Sequence, residues 1–167
     1  MTLVTSTDAK PPPIHDLPAD TDRSLAIALT RARESVVSRF RPLLAENGMS
    51  EQQWRVLRVL EEESPLDASC VAARACILAP SLTRMIKSLE DRHFVKRMRD
   101  ADDGRRSLLS ITTGGRAFIA SLAPAALAIN ADLRSRYGAQ RWEDLIDMLN
   151  DLAGLDAGPA YPGRNPR

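Results

Sequence analysis

The residues of this chain that could do chemistry are cationic and hydroxyl side chains placed to bind anions. Four of them lie on the polar sides of one predicted helix: Ser81, Thr83, Arg84 and Lys87. Arg84 and Lys87 lie opposite an apolar stripe of helical spacing. Guanidinium, ammonium and hydroxyl groups are the donors that bind phosphates and base edges. This pattern predicts a helix that packs one side on a core and offers the other to nucleic acid. An ordinary surface helix with solvated charges is the alternative.

A second anion-binding cluster follows in a predicted turn between two β-compatible runs. The runs are 95–99 and 107–111, and the turn contains Asp103, Arg105 and Arg106. The stretch from Asp67 to this hairpin reads as two short helices, of which the second is the helix described above. Two helices followed by a hairpin predict a winged helix-turn-helix, with the second helix in a major groove and the hairpin tip at a minor groove. Arg105 is the predicted minor-groove residue, Asp103 would hold it by hydrogen bonds, and Arg106 would contact phosphate. Solvated arginines in an ordinary turn are the alternative.

Two sites in the N-terminal half could bind a small organic acid. Arg33 lies near the middle of an apolar helix stripe, where a guanidinium needs an anion or several acceptors. That anion is either a structural carboxylate or the carboxylate of an aromatic effector. Trp54 and Arg58 are four residues apart on one predicted helix face, so they could sandwich an aromatic acid and bind its charge. A core tryptophan with an arginine stacked on it is the alternative.

The sequence lacks the patterns of catalysis and of metal binding. It has no P-loop, no dinucleotide-binding glycine pattern and no catalytic triad, and His15 and His93 have no partner pattern for acid–base chemistry. Cys70 and Cys76 are six residues apart and form no metal-ligand pattern. We expect buried thiols without a disulfide, no metal, no cofactor and no enzymatic activity.

Helical periodicity and capping signals place these residues on a mainly α fold with a small β-hairpin wing. Ser50 and Gln53 form a capping box for the second helix, Asp67 caps the third, and Thr112 or Thr113 caps a long helix. Pro124 predicts a kink in that long helix. The expected helix ranges are 20–44, 51–61, 115–136 and 140–152. The first and the last two carry more apolar surface than one DNA-binding lobe can cover, which favours a helical dimer interface.

The predicted organisation has five segments. They are an extended or disordered arm at 1–19, a helical dimerisation region at 20–45 and 115–155, a winged helix-turn-helix lobe at 46–114, and a flexible tail at 156–167.

Composition agrees with a DNA-binding protein of the cytoplasm. The net charge of the 167-residue chain is only +1, but the segment 74–106 holds nine basic and five acidic residues, a local charge of +4. No continuous apolar run approaches the ~20 residues of a membrane span. The N-terminus lacks the pattern of a secretory signal. We therefore expect no membrane partner and a cytoplasmic location, on the nucleoid when bound to DNA.

The most specific segments are DADDGRRSLLSITTGG, with Asp103 and Arg105 in a D-x-R pattern, and ARACILAPSLTRMIKSLE. Together with FRPLLAENGMSEQQWRVLRVL they resemble the MarR family of bacterial transcription regulators. The similarity extends over residues 24–152 and is strongest to the regulators of homoprotocatechuate and related aromatic-acid degradation operons. The family usually has glycine where this chain has His93, just after the recognition helix. That position typically requires φ > 0, so we expect His93 to be a strained helix cap and not a ligand.

The resemblance implies a homodimeric regulator, most simply a repressor of an aromatic-acid catabolic operon. It would bind a near-palindromic operator in double-stranded DNA and be released by a phenolic or aromatic carboxylate effector bound near Arg33, Trp54 and Arg58. A DNA-binding dimer without an effector, a thiol-based redox sensor and a helical protein-interaction module are the alternatives.

Overall fold

The computed structural model describes residues 21–99 and 107–155. The predicted arm (1–19), the tail (156–167) and the hairpin turn (100–106) lie outside the described residues. The described helices are α1 (Leu25–Glu46), α2 (Glu51–Glu62), α3 (Ala68–Arg74), α4 (Ala79–Asp91), α5 (Thr113–Tyr137) and α6 (Ala139–Gly154). The strands are β1 (Leu66–Asp67), β2 (Val95–Arg99) and β3 (Ser107–Ile111). The chain is a winged helix-turn-helix, as predicted.

The small sheet is antiparallel and has the order β1-β3-β2. Strands β2 and β3 have the bounds that the sequence predicts, and they pair from Val95↔Ile111 to Arg99↔Ser107. Strand β1 was not predicted, because two residues are too few to show an alternating pattern. It pairs Leu66 with Leu109, both buried, and so joins the wing to the segment that leads into α3.

The core of the DNA-binding lobe fixes the orientation of α4. Leu82, Ile86 and Leu89 are buried on one side of this helix, as its stripe predicts. They belong to one apolar cluster with residues of α2, α3 and the sheet. Since each buried aliphatic side chain contributes about 1.5–3 kcal/mol, α4 cannot rotate without losing several such contacts. Its opposite side is therefore held toward solvent.

Three helices begin at the caps that the sequence predicts. Ser50 and Gln53 form both hydrogen bonds of a capping box on α2. The carboxylate of Asp67 accepts a hydrogen bond from the backbone N–H of Cys70 at 2.8 Å. Between the two candidate threonines, Thr112 is the cap of α5, and its hydroxyl accepts from the N–H of Gly115 at 3.0 Å.

Two non-glycine residues adopt positive φ at the ends of α3 and α4. His93 has φ +57°, so the predicted strained cap is confirmed. Cys76 has φ +51°, which the sequence did not reveal. Such backbone costs roughly 1 kcal/mol per residue, and here it lets the chain turn tightly on both sides of α4.

Helix α5 runs continuously through Pro124, beginning and ending slightly beyond its predicted bounds. On length and composition alone it is the one described helix that could cross a membrane, with a mean hydropathy of 1.2 over its most apolar window. The expectation of no membrane span rested on uninterrupted apolar runs, which is a stricter criterion than this one. Seven of its 25 residues are alanines, which raise hydropathy and equally suit a helix that packs closely on others. Nothing else in α5 favours a membrane.

The chain divides into two compact units at the junction of Val36 and Val37. In the first unit, the described part of α1 presents Leu25 and Leu29 as exposed side chains. In the second unit, helix α6 has no buried residue. Several large apolar side chains of α5 and α6 are exposed: Leu127, Ile146, Met148, Leu149 and Leu152.

Candidate DNA-recognition surface and effector cavity

The recognition surface is built on the two consecutive helices α3 and α4. The chain bends by 105° between them, which lies within the range of helix-turn-helix motifs, about 90–120°. Four of the six residues predicted for DNA contact lie on α4, and all four are exposed: Ser81, Thr83, Arg84 and Lys87. The structure therefore places them together on one solvent-facing side, opposite the buried stripe.

The wing adds basic side chains that the sequence reading did not single out. Lys96, Arg97 and Arg99 are exposed on β2. The guanidinium Nε of Arg97 lies 3.1 Å from a carboxylate oxygen of Glu90, which orients it along the end of α4. Asp103, Arg105 and Arg106 lie outside the described residues, so their roles stay predictions.

Arg74 ties α3 to the end of α2 through two carboxylates. Its guanidinium lies 2.6 Å from Glu63 and 3.3 Å from Glu62, and its side chain is only 9% exposed. Burial alone would lower the pKa of Arg74, but the hydrogen bond to Glu63 and the two negative charges outweigh it, so the pKa is raised. Arg74 is therefore charged at every relevant pH, and it serves the structure of the motif.

Arg92 holds the other end of α4, where the helix meets the turn after α1. Its guanidinium donates to the backbone carbonyls of Gly48 at 2.7 Å and Asn47 at 3.1 Å. It also lies over the rings of Phe94 and Phe118, at 4.6 Å and 5.4 Å from their centroids. One side chain thus joins the end of the recognition helix, the turn after α1 and the first turns of α5.

A cavity of about 390 Å³ lies between α2, α5 and the part of α1 after Val36. Its size is within the range of small-molecule sites, about 300–1,000 Å³. The lining is mainly apolar and includes Val37, Phe40, Leu44, Trp54, Ile119, Ala123, Ala126 and Leu127. Four polar residues complete it: Glu51, Arg55, Arg58 and Asn130.

The structure brings Trp54 and Arg58 together on the wall of this cavity, as their spacing predicts. Arg58 is exposed, and its Nη1 lies 2.5 Å from a carboxylate oxygen of Glu61. Arg33 belongs to the N-terminal unit, where its side chain is exposed instead of lying on a buried apolar face. Its part in an effector site stays a prediction.

Arg55 also lines the cavity and was missed by the sequence reading. Its Nε is buried and has no hydrogen-bond partner among the described residues, with the Glu51 carboxylate 3.6 Å away. Its Nη1 donates to the backbone carbonyl of Cys76 at 3.4 Å, in the turn before α4. The signal was present, since positions 51, 54, 55 and 58 share one helix face.

The two cysteines are less buried than predicted. Cys70 is half-buried, and Cys76 is exposed. The positive φ of Cys76 places it in the turn between α3 and α4, where its side chain does not face the core. Across residues 21–99 and 107–155, no cluster of three histidine, cysteine or acidic side chains could hold a metal ion.

Comparisons with known proteins agree with this architecture. The sequence model of the MarR family matches residues 49–107. The homoprotocatechuate degradative operon repressor of Escherichia coli is 33% identical over 132 residues, which is 79% of this chain and 89% of that protein.

Two solved structures are similar over most of the chain. NadR in complex with 4-hydroxyphenylacetate is 31% identical, with a TM-score of 0.72 over 78% of this chain and 96% of NadR. The repressor CouR bound to a 23-mer DNA duplex is 28% identical, with a TM-score of 0.71 over 80% of this chain and 96% of CouR. These proteins are transcription regulators and not enzymes, in agreement with the sequence reading.

Proposed function

The chain belongs to the MarR family of transcription regulators, and from this premise we propose that it represses an aromatic-acid catabolic operon as a homodimer. A phenolic or aromatic carboxylate binds the cavity and releases the protein from its operator. The observation that carries this proposal is the cavity itself. It places a tryptophan and two arginines on one helix face, and one of those arginines reaches the turn before the recognition helix.

DNA binding rests on the exposed side of α4. Arg84 and Lys87 donate to base edges or phosphates, and Ser81 and Thr83 supply shorter hydrogen bonds. In a two-fold dimer, the two recognition helices enter successive major grooves about 34–36 Å apart, so the operator is a near-palindrome. Arg105 at the wing tip reaches the minor groove, held by Asp103, and Arg106 contacts phosphate.

Dimerisation rests on the apolar side chains that α5 and α6 leave exposed. Leu127, Met148 and Leu152 are three of them. Their transfer from water is favourable by about 25 cal/mol per Å² of apolar area, and a second copy of the same helices covers them symmetrically. The assembly acts in the cytoplasm, where the operator is.

The chemistry of the cavity selects the class of effector. An aromatic ring fits the apolar wall beside Trp54, and a carboxylate pairs with Arg55 or Arg58. Glu51 and Asn130 can bond a ring hydroxyl. Arg33 remains a candidate for the carboxylate.

Release from DNA requires that the effector bind one conformation better than the other. Arg55 supplies a physical link, because its guanidinium faces the cavity and also donates to the Cys76 carbonyl. A carboxylate that draws Arg55 away frees that carbonyl and loosens the turn that positions α4. A coupling of about 1–3 kcal/mol is typical of such links, equivalent to a 5- to 150-fold change in DNA affinity.

The DNA part is tested with duplexes selected from a random library by the purified protein. Arg84→Ala is expected to weaken binding to the selected duplex by about 1–3 kcal/mol for each bidentate base contact that is lost. Arg136→Ala, an exposed arginine of α5, is the matched control and leaves binding nearly unchanged. Equal losses in both variants, or no selected sequence, would reject sequence-specific recognition by α4.

The effector part is tested by measuring binding to the same duplex with 4-hydroxyphenylacetate, 4-hydroxycinnamate and benzoate. We expect at least one acid to weaken DNA binding, and expect Arg55→Met or Arg58→Met to reduce that response. Arg33→Ala measures whether Arg33 contributes. No response across the panel at millimolar concentration would reject the effector and leave a DNA-binding dimer without one.

A further inference from the structure

Leu78 is an apolar side chain in an unusual place. It is the residue immediately before α4 and is 79% exposed, although it is large and aliphatic. It therefore contributes little to the core of the lobe. A single exposed leucine needs no explanation on its own. Its position at the start of the recognition helix, however, conflicts with local helix chemistry.

The N-cap position of a helix favours serine, threonine, aspartate or asparagine, whose side chains accept a backbone hydrogen bond. The chain follows this rule at Ser50, Asp67 and Thr112, which cap α2, α3 and α5. Leu78 makes no such bond. Leu78 therefore leaves α4 without a side-chain cap, and its own side chain is not buried in the core. Departures from local preference that gain nothing within the chain are expected at functional positions.

The surroundings identify the chemistry of what covers Leu78. The exposed side chains that follow it on α4 include Ser81, Arg84 and Lys87, so its partner is anionic and rich in acceptors. The exposed apolar residues of α5 and α6 belong to other helices of the fold. The partner must offer acceptors to the polar side chains and an apolar group to Leu78. Duplex DNA offers both, because its major groove carries acceptors and phosphates together with one apolar group, the C5 methyl of thymine. N-terminal residues of a recognition helix are those that reach base edges.

We propose that Leu78 contacts the C5 methyl group of a thymine in each half-site of the operator and so specifies thymine at that position. The inference rests on the proposed DNA binding and extends it, since Ser81, Arg84 and Lys87 recognise hydrogen-bonding groups, whereas an aliphatic side chain recognises a methyl group by apolar contact.

The test replaces thymine by deoxyuridine, which lacks only the C5 methyl. Duplexes are first selected by the wild-type protein from a random library, and each thymine of the selected site is then replaced in turn. We expect one symmetric pair of positions at which the wild type loses about fourfold in affinity per half-site, and about fifteenfold for both, from the burial of one methyl group. Replacement of the other thymines should change affinity by less than about twofold.

Two variants of Leu78 separate base reading from folding. Leu78→Ala should bind thymine and deoxyuridine duplexes equally at the sensitive positions. Leu78→Ser restores a capping side chain, so it should unfold at a slightly higher urea concentration than Leu78→Ala and still show no preference for thymine. Circular dichroism of both variants checks that the fold is kept.

The outcomes distinguish failure of the Leu78 contact from failure of the proposed DNA recognition. A wild-type protein that ignores deoxyuridine at every thymine overturns the role of Leu78, while its dependence on Arg84 would keep sequence-specific binding intact. A Leu78→Ala variant that keeps the full deoxyuridine penalty overturns the role as well. If no sequence is selected, both the inference and the DNA-recognition proposal fail.

Discussion

Replacement of Arg92 by alanine tests whether the end of the recognition helix is held by one side chain. Arg92 donates to the Gly48 and Asn47 carbonyls and lies over Phe94 and Phe118. Because the two hydrogen bonds join segments that are more than 40 residues apart in sequence, Arg92→Ala should loosen the lobe at the point where three elements meet.

The expected loss follows from the contacts. A hydrogen bond from a charged donor contributes about 1.5–3 kcal/mol, and a partly exposed cation–π contact contributes about 0.5–1 kcal/mol. Arg92 is half-buried and must lose side-chain freedom, so the lower ends of these ranges apply. Arg92→Ala should therefore lower the free energy of unfolding by about 4 kcal/mol. Arg92→Lys keeps the charge but loses the planar fork, and about half that loss is expected.

Urea denaturation followed by circular dichroism measures these changes, at equal protein concentration because the stability of a dimer depends on it. Lys96→Ala, an exposed charge of β2, is the control and should change the free energy of unfolding by less than about 0.5 kcal/mol. If Arg92→Ala unfolds at the urea concentration of the control, the reasoning is wrong and the contacts contribute nothing. Equal losses in Arg92→Ala and Arg92→Lys would refute the role assigned to the charge.

Two further substitutions test the junctions of the fold. Gly115→Ala should destabilise the protein by about 3 kcal/mol or more, because a Cβ there would lie 2.3 Å from the backbone carbonyl oxygen of Phe94. Gly154→Ala, with no atom within 4 Å of its added Cβ, is the control, and equal urea midpoints for the two would contradict the prediction. Ser50→Ala removes one half of the capping box with Gln53 and should cost about 1 kcal/mol. An unchanged midpoint would mean that the cap contributes nothing.

Local signals in the sequence were sufficient for the hairpin strands and for three of the helix caps. The strands of the hairpin follow from β-compatible runs on both sides of a turn, and the caps at Ser50, Asp67 and Thr112 follow from side chains placed before apolar stripes. Each of these features depends on residues that are close in sequence. The positive φ of His93 was expected from the resemblance to the MarR family, which usually has glycine at that position.

Several contacts that the sequence did not reveal join distant residues. The pairing of Leu66 with Leu109 spans 43 positions, and the bonds of Arg92 to Asn47 and Gly48 span 45 and 44. The spacing of residues along the sequence does not indicate which distant backbone carbonyl a long side chain will contact. The link from Arg55 to Cys76 is of the same kind. The proximity of Trp54 and Arg58 could therefore be predicted from the sequence, but the contacts that join the cavity wall to the recognition helix could not.

Helix α2 packs against the cluster that holds α4 and also lines the cavity, and this limits how the proposed effector can change DNA binding. Its buried side chains, Val56, Leu57 and Leu60, pack in the same apolar cluster that holds α4, while its other side lines the cavity. Because protein interiors are close-packed, a ligand that shifts α2 cannot leave that cluster unchanged. The displacement must pass either into the packing of α3 and α4 or into the bond from Arg55. Under the proposed function, a bound effector would therefore have to move α2 only slightly to change the exposed side of α4.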